Sequence, residues 1–251
     1  MIQITLIQID NYGPWTVTPH PRTESDLQTM QSRLYSDLER EFGILGGLVF
    51  FNRFDNLIAV TNGINKKQHE RIQDSIRNRY PITISMSVAT AATSYEAQKI
   101  ATKQLQKTGG AQEAKRKEEL IIDKLVTPEE SLVQIAHIDI NHITKTLTDV
   151  TSAYDTSIIV YDVIYNLMKE LKNVDALSFF IGGDNFMSPS NNVNEETLTK
   201  VLKIVDKKTN VTLKAGVGIA KTAQEAADLA DIGLEDIRAG LTDKSVLIFN
   251  E

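Results

Sequence analysis

The sequence predicts an α+β protein built as two tandem copies of one βαββαβ module. Three observations carry this: short motifs recur at a constant spacing, strand-like and helix-like apolar periods alternate in the same order in each half, and the whole chain has globular composition. Leu6-Ile7-Gln8-Ile9-Asp10 is answered by Ile135-Ala136-His137-Ile138-Asp139, and Phe50–Asn56 by Phe179–Asn185. Thr93-Ser94-Tyr95-Glu96-Ala97 is answered by Thr222-Ala223-Gln224-Glu225-Ala226. All three pairs stand 129 residues apart, with no gap between them. Generic αβ patterning does not hold an ungapped register over such a length, so the repeat reads as a duplication.

The elements follow in order. Ile2, Ile4 and Leu6 alternate with polar residues, the period of two that marks a strand, ending near Asp10; the sister strand ends near Asp139. Met30, Leu34, Leu38 and Phe42 recur at every fourth position and predict an amphipathic helix, matched by Ile159, Val163, Leu167 and Leu171. Two short apolar runs flank Arg53–Asn56 in one copy and Gly182–Asn185 in the other, which reads as a hairpin in each. Ile72, Ile76 and Tyr80, and in the sister Val201 and Val205, give the next helix, followed by strands around Ile82–Ala89 and Val211–Gly218. A third helix closes each copy. It is expected to start on a capping box, Thr93 with Glu96 and Thr222 with Glu225. The order is that of a ferredoxin-like, or split βαβ, sheet. The repeat loses register in the charged stretch Gln112–Glu119 and the turn Thr127–Glu130, so the domains are placed at residues 1–112 and 131–251, with a linker over about 113–130.

With 251 residues, 41% of them hydrophobic and 24% charged, the chain has the size and composition of one large or two small soluble domains. No apolar run approaches a membrane span, and Met1 leads directly into a strand pattern, so no membrane partner and a cytoplasmic location are expected. A net charge of −6 argues against nucleic acid as a partner but leaves room for a small phosphorylated ligand with a bound cation. The absence of cysteine removes thiol nucleophiles, disulfides and thiolate zinc sites.

In a βαββ arrangement the first two strands run parallel, with the third antiparallel between them, so their carboxyl ends share one edge. Asp10 and Asp55 are expected to converge there, and Asp139 and Asp184 likewise in the second copy. Two converging carboxylates repel each other, and a Mg²⁺ ion held between them relieves that repulsion while keeping positions for water and phosphate oxygens. The pair Asp139 and Asp184 is favoured as metal ligands, because Gly182-Gly183 strips side chains from the tip and lets backbone approach a phosphate or ribose, which Arg53-Phe54 does not. Asp10 and Asp55 remain candidates to complete a pseudo-symmetric site or to bind metal themselves. The segment from Asn11 to Pro21 has no counterpart in the second copy, which reads Ile140-Asn141-His142 instead; it holds Tyr12, the chain's single Trp15 and half its prolines, and suits either a stacking surface for a base or an aromatic plug.

These residues resemble a family. Phe180-Ile181-Gly182-Gly183-Asp184-Asn185-Phe186, preceded by Ile138-Asp139-Ile140-Asn141, is similar to the metal-binding pattern of palm-type domains, among them diguanylate cyclases with their GGDEF hairpin, though Asn185 stands where those have a second acid. Over the whole chain, Gln8–Thr16, His137–Asn141, the Gly-Gly-Asp-Asn hairpin and Leu229–Leu234 resemble archaeal GTP cyclohydrolase III. The resemblance implies duplicated palm-like domains in a tetramer, Mg²⁺, two to a site, held by two of Asp10, Asp55, Asp139 and Asp184, and K⁺ or a similar monovalent activator. It implies opening of the guanine ring of GTP at C8 with release of pyrophosphate, giving 2-amino-5-formylamino-6-(5-phosphoribosylamino)pyrimidin-4(3H)-one, an entry to flavin and deazaflavin cofactors. His137, His142 and Tyr12 are the candidate acid–base groups, and Asn11, Tyr12, Trp15, Asn141, Gly182, Gly183 and Asn185 the candidate substrate-binding residues. A nucleotidyl or diguanylate cyclase, or a noncatalytic GTP sensor, are the alternative readings.

Overall fold

In the computed structural model, which describes residues 1–127, 129–141 and 149–251, the chain divides into two compact units, one mainly of Met1–Ala92 and Glu96–Ser131 and the other mainly of Leu132–Lys221 and Glu225–Glu251. The first contains β1 (Ile2–Ile9), α1 (Tyr12–Val17), α2 (Glu24–Gly43), β2 (Leu48–Arg53), β3 (Asn56–Val60), α3 (Lys66–Arg79), β4 (Ile84–Ala91), most of α4 (Ser94–Lys107) and β5 (Leu120–Ile122). The second contains β6 (Val133–Ile140), α5 (Ala153–Lys172), β7 (Phe179–Gly182), β8 (Asn185–Pro189), α6 (Glu195–Thr209), β9 (Leu213–Ala220), most of α7 (Ala223–Arg238) and β10 (Val246–Asn250).

Each sheet has the expected ferredoxin-like core. The strand orders are β2-β3-β1-β4-β5 and β10-β9-β6-β8-β7, and the first strand of each copy lies antiparallel between the third and the fourth. Sequence patterning missed one strand per copy. β5 runs parallel to β4 and β10 parallel to β9. Met86 and Ala215, 129 residues apart, are paired with Leu120 and Val246, which are 126 apart, so the last strand of each copy is shifted by three residues and escapes an ungapped repeat search. Residues 113–130, read as a linker, therefore supply β5 and the buried Arg116 to the first unit.

The two faces of each sheet are covered differently. In the first unit Ile7, Ile9, Leu57, Ala59, Ile84 and Met86 pack against Leu34, Leu38 and Phe42 of α2 and Ile72 and Ile76 of α3. In the second, Ala136, Ile138, Ala215 and Val217 meet Val163, Leu167 and Leu171 of α5 and Val201 and Val205 of α6. Each fully buried side chain of this kind contributes roughly 1.5–3 kcal/mol. Alternation then directs Ile135, His137 and Asp139 to the opposite face, under α7. There Gly216 and Gly218 of β9 let the helix backbone lie on the strand: a Cβ on either would stand 1.9 Å from the carbonyl oxygen of Ala230 or Ala226.

The duplication extends to caps and buried hydrogen bonds. Thr23 and Ser152 cap α2 and α5 by accepting from the backbone N–H of Asp26 and Asp155. Asn65 and Asn194 cap α3 and α6 in the same way, with Asn65 and Gln68 completing a capping box. Inside, the Gln3 amide donates to the Ile64 carbonyl at 3.0 Å and that of Gln134 to the Val193 carbonyl at 2.7 Å.

Candidate active site

Asp139 is the last outward-facing residue of β6, and register makes Lys214 of β9 its cross-strand neighbour on the same face. α7, settled onto the two glycines of β9, ends there and delivers Arg238. Around Asp139, which is 3% exposed, Arg238 Nη2 lies 2.9 Å, Arg238 Nε 3.2 Å and Lys214 Nζ 3.3 Å from the same oxygen, Oδ2. Oδ1 is buried and accepts no hydrogen bond from the described residues.

The second carboxylate comes from the hairpin tip. Gly182 pairs with Asn185 across it, leaving Gly183 and Asp184 as a two-residue turn. Gly182 at φ +124° and Gly183 at φ +60° both occupy the left-handed half of backbone space, and a Cβ on Gly182 would touch nothing. The glycines are thus required by the turn itself rather than by crowding. Burial, reinforced by the neighbouring Asp139 carboxylate, pushes the Asp184 carboxyl up to about 6, with Arg238 opposing. A relay holds the tip: Asp231 of α7 hydrogen-bonds His137 Nδ1, His137 Nε2 meets Asn185 Oδ1 at 2.9 Å, and Asn185 Nδ2 donates to Asp184 Oδ1 at 3.2 Å.

Both aspartates open onto a cavity of about 620 Å³, within the range of small-molecule sites. Lys214, Arg238 and Lys244 also line it, together with Asn141, Thr212, Thr242 and Ser245. The Lys214 ammonium lies 3.4 Å from Asn141 Oδ1. His137, Gly182, Gly183 and Asn185 are not among the lining residues; their part is to shape and hold the tip. His142 falls outside the described residues.

The first copy carries the same aspartates in different company. Asp10 Oδ1 accepts from Ser85 Oγ at 2.6 Å, and Oδ2 from Thr83 Oγ1 and the Glu118 backbone N–H, both at 2.9 Å. The buried Arg116 guanidinium stands 3.6 Å away. Asp55 is brought beside the end of β1, where its carbonyl accepts from Ile9 N at 3.0 Å, but its carboxylate turns to Arg53 at 3.1 Å. The two backbones converge as expected while each carboxylate is answered by its own arginine. Asn11, Tyr12 and Trp15 belong to this unit, Tyr12 and Trp15 within α1 and Asn11 at its N-cap in the left-handed region at φ 51°. Tyr12 and Trp15 pack on the core beneath, 6.1 Å apart, the Tyr12 hydroxyl accepts from Gln31, and burial pushes its pKa up. Arg22 lies over the Trp15 ring at 3.7 Å. Trp15 also borders a cavity of about 400 Å³ with Asp10, Asn11, Arg77 and Lys117.

The cations of the second unit were not foreseen. Lys214 was findable in principle, because it interrupts a strand of Leu213, Ala215 and Val217 at a position facing Asp139. Arg238 carries no such signal, since a basic residue in the last turn is ordinary helix chemistry.

A family model described as GTP cyclohydrolase III matches residues 1–251. Three relatives named GTP cyclohydrolase III are 67% identical over 251 residues (Methanosphaera stadtmanae; 100% of this chain and 98% of the relative), 61% over 247 (Methanocaldococcus jannaschii; 98% and 91%) and 59% over 251 (Methanothermobacter thermautotrophicus; 100% of each). Among solved structures, the GGEEF domain of a diguanylate cyclase from Vibrio cholerae is similar to 48% of this chain and 85% of its own, at 14% identity and a TM-score of 0.37. The full-length matches to protein relatives decide the matter: the chain belongs to the GTP cyclohydrolase III family.

Proposed function

We propose that the chain hydrolyses GTP, opening the guanine ring at C8 and releasing pyrophosphate, with the Asp139–Asp184 cavity as its reaction centre. The activity rests on family membership over the full length. Its assignment to this cavity rests on one observation: among the described residues, only the second copy presents a paired set of carboxylates with a buried oxygen, Asp139 Oδ1, that accepts no hydrogen bond, beside an open pocket. The corresponding Asp10 has both oxygens engaged.

The donor set fits a hard divalent cation. Two carboxylates from separate chain positions, one with a free lone-pair face, are what Mg²⁺ takes from a protein while retaining water and phosphate oxygens. Asp139 and Asp184 would hold it, and it would supply charge against the triphosphate and make nearby water more acidic. The chain's own cations do the rest of the binding. Lys214 and Arg238, pinned to Asp139 Oδ2, line the cavity as cations, with Arg238 Nη1 also held by Glu235, and Lys244, 2.8 Å from Glu195, adds a third positive charge to the lining. Thr212, Thr242 and Ser245 offer hydroxyl donors to the same phosphates. The Asp231–His137–Asn185 relay holds Asp184 at the hairpin tip beside Asp139, so His137 acts as a positioning residue rather than as an acid or base. A monovalent activator and a homo-oligomer complete the reading.

Incubation of the purified protein with GTP, Mg²⁺ and K⁺ tests this. Loss of the purine absorbance together with pyrophosphate release is expected. Pyrophosphate with an intact purine spectrum points instead to a cyclase, and binding without either signal to a sensor.

A further inference from the structure

The first unit holds a cavity of about 240 Å³ between its sheet and α4, and amide side chains dominate its walls. Gln8 comes from β1, Asn52 and Asn56 from the β2–β3 hairpin, and Gln98 and Gln106 from α4. Leu6 and Leu105 add apolar surface, and Thr102 a hydroxyl. A chain of hydrogen bonds with a fixed direction runs to this wall. A guanidinium can only donate, so the buried Arg116 turns the oxygen of Gln8 toward its Nη1, at 2.6 Å. Gln8 Nε2 then donates to Asn56 Oδ1 at 2.9 Å. Asn56 Nδ2 is left as a donor, on a residue 6% exposed, with no hydrogen-bond partner among the described residues. Buried donors are almost always answered by an acceptor, and the cavity beside Asn56 is where one can enter.

The repeat shows what is particular to this copy. Gln8, Asn56 and Thr102 stand 129 residues before His137, Asn185 and Asp231, the relay of the second copy. There the Asn185 amide donates to Asp184 Oδ1. In the first copy Arg53, at the position of Gly182, holds the equivalent Asp55 carboxylate at 3.1 Å, and Thr102 brings no charge where Asp231 does. The same framework has lost its carboxylates from this spot and kept an amide donor.

We propose that this cavity binds a purine or pyrimidine base without phosphates, at a site that shares no lining residue with the Asp139–Asp184 cavity. Its volume suits one planar ring system and is too small for a nucleoside triphosphate. Charge selects a neutral ligand, because Arg53, the cation of the lining, is already paired. The edge of a base sets hydrogen-bond donors and acceptors side by side in one plane, the pattern that Asn and Gln side chains read at two points. Asn56 Nδ2 would meet an acceptor on that edge, and the oxygen of a neighbouring amide its N–H donor, with Leu6 and Leu105 against the ring. This assignment does not depend on the reaction proposed for the second unit.

Calorimetric titration of the full chain with hypoxanthine, adenine and uracil, in EDTA to keep divalent cations from the other cavity, is the test. At least one base is expected to bind at one site per chain. Thr102→Leu, which fills the cavity with a branched apolar side chain, is expected to weaken that binding roughly tenfold or more. No binding by any of the three bases means that the cavity holds water only, and overturns the proposal. Binding that survives Thr102→Leu in a folded variant, or that is lost in Asp139→Asn, places the base elsewhere and overturns it as well. If Thr102→Leu does not fold, wild-type protein labelled at its leucine methyls serves instead. Ring protons of the bound base are expected to transfer magnetisation to the methyls of Leu6 and Leu105, and transfer to neither overturns the site.

Discussion

Asp10 and Asp139 occupy one position of a repeated sequence and have opposite surroundings, because their neighbours one strand away differ. Around Asp10, Thr83 and Ser85 of β4 and its lead-in bring hydroxyls; opposite Asp139, Lys214 brings a charge. In the first copy two hydroxyls, a backbone N–H and Arg116 fill both carboxylate oxygens, which makes Asp10 part of the core. Asp139→Asn and Asp184→Asn are each expected to lower kcat about a hundredfold or more at saturating Mg²⁺, the order found when a pre-organised electrostatic group is removed from a site. Asp10→Asn leaves the buried Arg116 charge uncompensated, a loss of about 3–5 kcal/mol seen as a fall in the unfolding midpoint, with kcat per folded molecule close to wild type. Wild-type turnover in both second-copy variants, with loss in Asp10→Asn, would move the reaction centre to the first unit. The sequence disclosed the four aspartates and their pairing, because strand ends and hairpin tips follow from local periodicity. It did not disclose which pair was already satisfied, because Arg116 arrives from more than a hundred residues away.

At the scale of elements, the contact that builds the site is α7 on β9. Ser87 and Ala89 of the first copy stand where the second has Gly216 and Gly218, so close approach of helix to strand is a particular property of the half that holds the cavity. Gly216→Ala places a methyl group 1.9 Å from a backbone oxygen that no rotamer can move aside. It is expected to destabilise the protein by about 3 kcal/mol or more, at the upper end of overpacking costs, and to raise KM for GTP by displacing Arg238 from Asp139. Denaturant unfolding and steady-state kinetics on the same preparation check both, and an unaffected KM would disconnect α7 from the site. Helices with wide apolar stripes, such as Leu34, Leu38 and Phe42, were legible from sequence because one face alone is apolar. The strands β5 and β10 were not, since each is an edge strand added parallel by a tertiary pairing. α1 was not either: its six residues Tyr-Gly-Pro-Trp-Thr-Val read as a loop until Tyr12 and Trp15 find the core.

Over the whole molecule, a net charge of −6 opposes the approach of a triphosphate, and the second unit adds two carboxylates at the point of arrival. Stability should therefore report the state of that pair. The Asp184 carboxyl, raised from 3.8 to about 6 chiefly by burial, binds its proton more tightly in the folded chain than in the unfolded one. Its favourable contribution is complete below pH 3.8 and is lost as pH rises through 6. The side chain is partly exposed at the hairpin tip, so screening holds the effect to less than about 1 kcal/mol. A divalent cation reverses the sign, since it binds only the ionised pair. At a concentration a hundredfold above its Kd, Mg²⁺ adds about 2.7 kcal/mol, or roughly 5–10 °C in Tm for a chain of this size. Thermal scans are thus expected to show a Mg²⁺-dependent gain at pH 8 that shrinks toward pH 5, where protons compete for the same oxygens. Asp184→Asn should lose that gain, and in EDTA at pH 8 it should melt no lower than wild type, because the repulsion it removes is present only without metal. A gain of equal size in Asp184→Asn, or one independent of pH, would show that the cation binds away from the Asp139–Asp184 pair.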